Sequence, residues 1–237
     1  FLILKNIENA KNEMEWFVQD LYQFDKITLY QNQSLLINKK KYKIICDFIH
    51  QRSIGIPFQH ILNRASFYGR DFIVNENVLI PRPETEILID IIKNKNVKKL
   101  LDIGTGSGAI AITARIENIA QYVDAIDISP KALCVAEQNY KKFNLDNIQF
   151  IKMNILENTP NEKYDIVISN PPYVSFSEYK KLDYSIQKHE PIAAITDFKN
   201  GLTFYKRYAA ILKQILIPNG IAIFELSHLF NKEEIQE

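Results

Sequence analysis

Two groups of residues in this chain have types and spacings suited to chemistry. The first is Leu101-Asp102-Ile103-Gly104-Thr105-Gly106-Ser107-Gly108. The chain has only seven glycines in 237 residues, and Gly104, Gly106 and Gly108 fall within five positions. Glycine lets a backbone turn tightly and come close to a ligand. The bland alternative is a single tight turn. Context favours a ligand: a strand pattern precedes, a helix pattern follows, and Asp127 ends the next strand pattern about 20 residues on. An acid so placed can accept hydrogen bonds from two ribose hydroxyls. The spacing is GxGxG, and Ala109 stands where a dinucleotide fingerprint places its third glycine. A pyrophosphate is therefore not the expected ligand. S-adenosylmethionine needs a backbone-lined slot for its amino-acid end and an acid for its ribose, and this segment offers both.

The second group is Asn170-Pro171-Pro172-Tyr173, directly after the strand pattern Asp165–Ser169. Two prolines fix the backbone and remove two donors, leaving the carbonyl of Pro171 free to face a ligand. Asn170 adds a side-chain carbonyl and an amide. Two acceptors converging on one –NH₂ group would hold both of its hydrogens. Tyr173 supplies a flat face for a planar amide or base. An amide nitrogen is a poor nucleophile, so holding both hydrogens aims its lone pair at a donor methyl, mainly an orientation effect. A proline turn alone requires neither the asparagine nor the aromatic.

The elements that must place these groups follow from periodicity. Residues 1–65 read as a small helical domain, with Met14, Phe17, Val18, Leu21 and Tyr22 on one helix face and Tyr42, Ile45, Cys46 and Ile49 on another. Tyr30–Ser34 reads as a polar connection. Residues 66–83 read as a β-hairpin or linker, with Tyr68-Gly69 as its turn signal and Pro81 and Pro83 barring a helix until Glu84. From residue 97 strands alternate with helices: strands at 97–103, 122–128, 148–152, 164–169 and 221–226, and helices at 108–118, 130–143 and 203–216. Ser129 is the expected cap of the helix that opens at Pro130, and Pro218-Asn219-Gly220 the stop of the helix before the last strand. The pattern predicts an α/β fold with a doubly wound, Rossmann-like parallel sheet over residues 84–237.

Composition narrows the classes. Hydrophobic residues make up 46% and charged residues 24%, the profile of a globular protein rather than a disordered or fibrous one. Lys+Arg is 29 and Asp+Glu 28, so overall charge gives no sign of a nucleic-acid binder. Two separated cysteines, Cys46 and Cys134, exclude a disulfide framework or a cysteine-rich zinc site and fit a cytoplasmic setting. Cys134, beside Leu133 and Ala136, is expected in the core. His50, His60, His189 and His228 share no ligand spacing, so no metal is expected. Lys39-Lys40-Lys41 reads as a solvated charge run. No signal peptide or membrane span is expected, and a monomer is. The chain opens on Phe1 rather than Met, so a piece of a longer product is expected.

The sequence resembles the protein-(glutamine-N5) methyltransferases of the HemK/PrmC type. The resemblance rests on Asn170–Tyr173 together with Pro57-Phe58-Gln59-His60-Ile61-Leu62, Phe67-Tyr68-Gly69, Val78-Leu79-Ile80-Pro81-Arg82-Pro83-Glu84-Thr85-Glu86, Glu190-Pro191 and Asn200-Gly201-Leu202. It runs from about residue 50 to 226, and the Pro-Arg-Pro-Glu-Thr-Glu segment is its most specific part. It implies a class I S-adenosylmethionine-dependent methyltransferase that modifies the glutamine of the Gly-Gly-Gln loop in peptide-chain release factors, with the helical domain engaging that substrate. Gly104, Thr105, Gly106, Ser107 and Gly108 would line the methionine end of the cofactor, and Asp127 its ribose. Asn154 and Ile155 would serve the adenine, although the family usually has an acid and an aromatic there. Asn170 and Pro171 would hold the substrate amide, and Pro172 and Tyr173 would shape the slot. Arg82 and Glu84 would sit beside it, or form an ion pair in the linker. Glu225-Leu226-Ser227 replaces the usual Glu-Ile-Gly, and the last two strands of such a sheet are expected to be missing. A fused tRNA guanine-N7 methyltransferase would be one continuation of the chain. The rival functions are a DNA adenine-N6 or RNA guanine-N2 methyltransferase and an inactive cofactor-binding scaffold.

Overall fold

The computed structural model describes residues 2, 7, 9–32, 34 and 36–227. His228 and the rest of the C-terminal segment lie outside the described residues. The chain divides into two compact units, Phe1–Leu62 and Asn63–Glu237.

The first unit contains helices α1 (Ala10–Tyr22), α2 (Lys26–Gln31), α3 (Lys39–Ser53) and α4 (Phe58–Ile61). Asp25 caps α2 by accepting from the Thr28 amide at 2.7 Å, and Asn38 caps α3 through the Lys41 amide at 2.9 Å. Tyr30, expected in a connection, is thus helical, and the Asp25 cap is the signal that explains it. The core forms where Phe17 of α1 stacks on Phe48 of α3, ring centroids 4.0 Å apart. The buried face of α3 is Ile45, Phe48 and Arg52, with Ile49 packed beside it. Tyr42 and Cys46, expected on that face, are exposed. The burial follows Phe48, whose ring outweighs the polar-tipped Tyr42.

The second unit begins with a hairpin of β1 (Arg64–Phe67) and β2 (Arg70–Ile73). Tyr68 and Gly69 both have positive φ, 51° and 71°, the pattern of a tight two-residue turn whose twist matches the strands. A 3-10 turn at Pro83–Thr85 leads into α5 (Glu86–Ile92). Then follow β3 (Val97–Ile103), α6 (Ala109–Ile116), β4 (Ala120–Asp127), α7 (Pro130–Lys142), β5 (Ile148–Lys152) and β6 (Tyr164–Ser169). Three short turns of helix come next: α8 (Phe176–Tyr179), α9 (Tyr184–His189) and a 3-10 turn at Ile192–Ala194. The described chain closes with α10 (Thr203–Ile215) and β7 (Leu216–Phe224). Ser129 caps α7 as expected, accepting from Ala132. Cys134 is exposed, because α7 buries Leu133, Val135, Ala136 and Asn139 instead.

The sheet has the order β5-β4-β3-β6-β7, and every pairing is parallel. Alternation along each strand divides the core in two. Leu100, Ile166 and Ile168 face one cluster, with α5 and α6. Leu101, Ile103 and Val167 face the other, with Tyr208, Ile211 and Ile215 of α10. The sequence places a helix stop at Pro218–Gly220 and starts the strand at 221, whereas the strand begins at Leu216. The turn is real but lies within the strand: Tyr164 pairs with Leu216 and Ile166 with Ile221, so five steps of β7 match two of β6. Asn219, at φ 64°, takes the left-handed position in that bulge.

Candidate active site

In a doubly wound sheet, ligands bind beyond the carboxyl ends of the strands where the strand order reverses. Here the chain runs outward from β3 to β4 and β5 and returns to β6 on the other side of β3. Register then does the assembly. Ile103 pairs with Ser169 and with Ile126, and Asp127 with Lys152. The glycine loop, Asp127 and Asn170 therefore all leave the sheet at one edge. Ser169 pins this corner by donating to the Ile103 carbonyl at 2.7 Å.

The glycine loop is locked from within. The amides of Gly104 and Thr105 both donate to the Ile126 carbonyl, at 2.8 and 3.0 Å, and that of Gly108 to Thr105 at 2.8 Å. The Gly106 amide donates to Asp127 Oδ2 at 2.9 Å, and the Ser129 amide to Asp127 Oδ1 at 2.9 Å. Four loop amides are thus spent internally rather than offered to an anion, which fits a ligand without phosphate. At Gly104, φ is +75° and an added Cβ would meet nothing within 4 Å, so bare backbone faces open space. Gly108 serves packing instead: a Cβ there would come within 3.2 Å of the Ala136 Cβ on α7. Asp127 keeps lone pairs for a diol beyond its two amides. Burial pushes its carboxyl above the ordinary range. These residues fit an S-adenosylmethionine-type ligand at its methionine and ribose ends.

Asp102, at the end of β3, is fully buried. Its Oδ2 accepts from Thr105 Oγ1 at 2.7 Å and from the Ala111 amide at 3.2 Å, while Oδ1 has no partner. Burial pushes its carboxyl up to about 7. Asn154 lies in a cleft of about 530 Å³ with Ile128, Lys152, Met153 and Thr159, and its Oδ1 accepts from the Leu156 amide at 3.1 Å. The side chain of Ile155 is buried with Leu101, Tyr164 and Ile211 beneath the sheet rather than in that cleft. Ile128 is the exposed apolar residue of the cleft.

Asn170 Nδ2 donates to Thr85 Oγ1 at 3.0 Å, and Thr85 donates to Glu225 Oε2 at 2.7 Å. The hydroxyl of Tyr173 donates to Glu225 Oε1 at 3.0 Å. Burial, then the Glu225 carboxylate, push the Tyr173 phenol up to about 12, so it stays a donor. Pro171 is buried, and Pro172 is half-buried between the two anchored residues. Arg82 pairs with Glu190 at 2.7 Å, not with Glu84, which is exposed. The other oxygen of Glu190 accepts from the Ile80 amide at 3.0 Å, so this buried acid ties the segment before Pro81 to the end of α9.

Sequence reasoning does not bring Thr85, Glu190 and Glu225 to these contacts, although each lies in a segment singled out above. Thr85 and Glu225 are 140 positions apart, so only the closed sheet joins them. A larger recess of about 610 Å³ lies at the opposite edge, at the amino ends of β3 to β6. Within it Lys99 pairs with Asp124 at 3.0 Å and with Glu162 at 3.6 Å. Among the described residues, no group of three or more histidine, cysteine, aspartate or glutamate side chains could hold a metal. No helix among them is long and apolar enough to cross a membrane.

Family comparisons agree with this layout. The PrmC N-terminal domain matches residues 1–62, and the methyltransferase small domain matches residues 83–189. A release factor glutamine methyltransferase of Bacillus subtilis is 40% identical over 73% of this chain and 63% of its own length. One of Clostridium acetobutylicum is 37% identical over 85% of this chain and 73% of its own length. One of Flavobacterium psychrophilum is 37% identical over 100% of this chain and 81% of its own length. The chain thus covers between 63% and 81% of these relatives. By these matches over both of its units, the chain belongs to the family of release factor glutamine methyltransferases.

Proposed function

We propose that the chain transfers a methyl group from S-adenosylmethionine to the side-chain amide nitrogen of the glutamine in the Gly-Gly-Gln loop of peptide-chain release factors. The observation that carries this is the placement of Asn170. It leaves β6 beside the glycine loop that leaves β3, with its amide nitrogen already committed to Thr85. Its Oδ1 is then the group available to a substrate –NH₂.

The bound cofactor supplies an electrophilic methyl group on a sulfonium sulfur. The chain's own residues hold and aim the acceptor. Asn170 Oδ1 and the Pro171 carbonyl take the two amide hydrogens, and the two prolines keep that carbonyl in place. Tyr173, tied down by Glu225, provides a fixed flat wall for the amide plane. Orientation of the nitrogen lone pair toward the methyl group is the main contribution. The nitrogen that gains the methyl group sheds one of its two hydrogens as a proton to solvent after transfer, so no strong base would be needed beforehand. The helical unit is the part assigned to grip the release factor. Family membership and the names of the relatives support the glutamine substrate.

The test is incubation of the protein with labelled cofactor and, in parallel, release factor, its loop Gln→Ala variant, or nucleic acid. Label on release factor that disappears in the Gln→Ala variant is the expected result. Label on nucleic acid would instead assign an exocyclic base amine as the substrate.

A further inference from the structure

We propose that Glu225 and Thr85 act as positioning residues that fix which edge of the Asn170 carboxamide meets the substrate. This rests on the reading of Asn170 as the group that grips the substrate amide. An asparagine side chain can rotate its amide plane by half a turn with little change in shape, and the two orientations are chemically opposite. With Oδ1 toward the substrate, an acceptor meets an –NH₂ group. With Nδ2 toward it, donor meets donor and the grip is lost. The motif itself contains nothing that chooses between them.

Hydrogen-bond polarity makes the choice. A carboxylate only accepts. Thr85 has one hydroxyl hydrogen, and it goes to Glu225 Oε2 at 2.7 Å. Toward Asn170, 3.0 Å away, the Thr85 oxygen can therefore only accept. Only Nδ2 can satisfy it, so Oδ1 is turned the other way. Thr85 is 4% exposed, so solvent does not supply a competing partner. Charge on the acceptor strengthens the first bond, and the first bond polarises the second.

Glu225 is itself held rigidly. Its amide donates to the Ser169 carbonyl at 3.0 Å, and its own carbonyl accepts from Tyr205 at 2.7 Å. Its second carboxylate oxygen takes the Tyr173 hydroxyl at 3.0 Å. One carboxylate thus orders both ends of Asn170–Tyr173, through the only two oxygens it has. A glutamine at 225 has a single acceptor oxygen and cannot serve both hydroxyls. Its –NH₂ would donate to one of them and reverse the polarity of that arm.

The experiment compares Thr85→Val, Thr85→Ser, Glu225→Gln and Asn170→Ala in the full chain, measuring kcat, KM for release factor, cofactor Kd and thermal midpoint. Thr85→Val keeps the shape and loses the hydroxyl. It and Glu225→Gln are expected to lower kcat by about 10- to 100-fold, the scale of a misplaced reacting group, with cofactor Kd changed by less than about twofold. Thr85→Ser keeps the hydroxyl and is expected to recover most of the lost turnover. The side-chain ¹⁵N–¹H signals of Asn170, identified by their loss in Asn170→Ala, are expected to shift in Thr85→Val. If Asn170→Ala abolishes turnover while Thr85→Val and Glu225→Gln keep it, the positioning role is overturned and the reading of Asn170 stands. If Asn170→Ala keeps turnover, that reading fails and the positioning role fails with it. Loss of cofactor binding and thermal stability in step with kcat, with no recovery in Thr85→Ser, would mean a purely structural role and would also overturn the proposal.

Discussion

Asn139, on the face of α7, holds the carbonyl of Ser107 in the glycine loop with its side-chain nitrogen at 2.9 Å. The same nitrogen donates to the Ile73 carbonyl at 2.9 Å, and Oδ1 accepts from the Ile73 amide at 2.6 Å. One fully buried carboxamide thus fastens the hairpin to the glycine loop. Asn139→Leu would leave three backbone groups without partners. We predict a loss of about 2–4 kcal/mol in denaturant unfolding, together with weaker cofactor binding by calorimetry. An unchanged unfolding midpoint would contradict this role.

Gly104 and Gly108 share positive φ but face different surroundings, so alanine should separate them. At Gly108 the new methyl would meet Ile112 Cδ1 at 3.0 Å and Ala136 Cβ at 3.2 Å. Gly108→Ala is expected to cost about 2–4 kcal/mol, from strain plus overpacking. Gly104→Ala should cost only the backbone strain, about 1–2 kcal/mol, yet weaken cofactor binding because its methyl enters the open side of the loop. Melting curves and cofactor titrations of the pair check this. Equal effects of both substitutions on both readouts would count against the assignment.

Asp102 gives the protein a pH signature. Burial raises its carboxyl from 3.8 to about 7. Between those values the folded chain holds a proton that the unfolded chain has released. Unfolding then releases a proton, so this group's contribution to stability falls as pH rises from about 4 to about 7. The sign is opposite to that of a salt-bridged acid. The cofactor-free protein should lose thermal stability across that window relative to Asp102→Asn. Parallel curves for the two proteins would show that Asp102 is not the titrating group.

The helical unit carries its own test. Arg52 donates to both oxygens of Glu13, at 2.6 and 3.1 Å, and to the Ile56 carbonyl at 2.8 Å. Both side chains are about nine-tenths buried, with 10% and 12% exposure. Removing one partner strands the other charge. Arg52→Met should destabilise this unit by about 3–5 kcal/mol. Replacing both, as Arg52→Met with Glu13→Leu, should recover much of the loss. A double variant no better than the single one would argue against stranded charge as the cause.

Most of the sheet was legible because its signals are local. Strands at 148–152 and 164–169 follow from short apolar runs, and the start of α7 follows from Ser129 and Pro130. The glycine loop, Asp127 and Asn170–Tyr173 stand out because their residue types are unusual for plain turns. Polar groups that act across the chain were not legible. Glu225 looks like an ordinary residue after a strand until the parallel pairing of β6 and β7 sets it opposite Tyr173 and Thr85. The partner of Arg82 is hidden from sequence for the same reason, since Glu190 lies 108 positions away. Ile155 stands at the family's aromatic position, but an aliphatic side chain there gains more from the core under β3 and β6 than from a solvated cleft.

In the proposed reaction Asn170 presents an acceptor to a glutamine side-chain amide while the glycine loop holds S-adenosylmethionine. The most direct measurement is fragmentation mass spectrometry of the loop peptide from release factor treated with cofactor and either the native chain or Asn170→Ala. One added methyl is expected on the side-chain nitrogen of the Gly-Gly-Gln glutamine with the native chain, and almost none with Asn170→Ala at unchanged cofactor Kd. A methyl group on another residue, or undiminished transfer by Asn170→Ala, would contradict it.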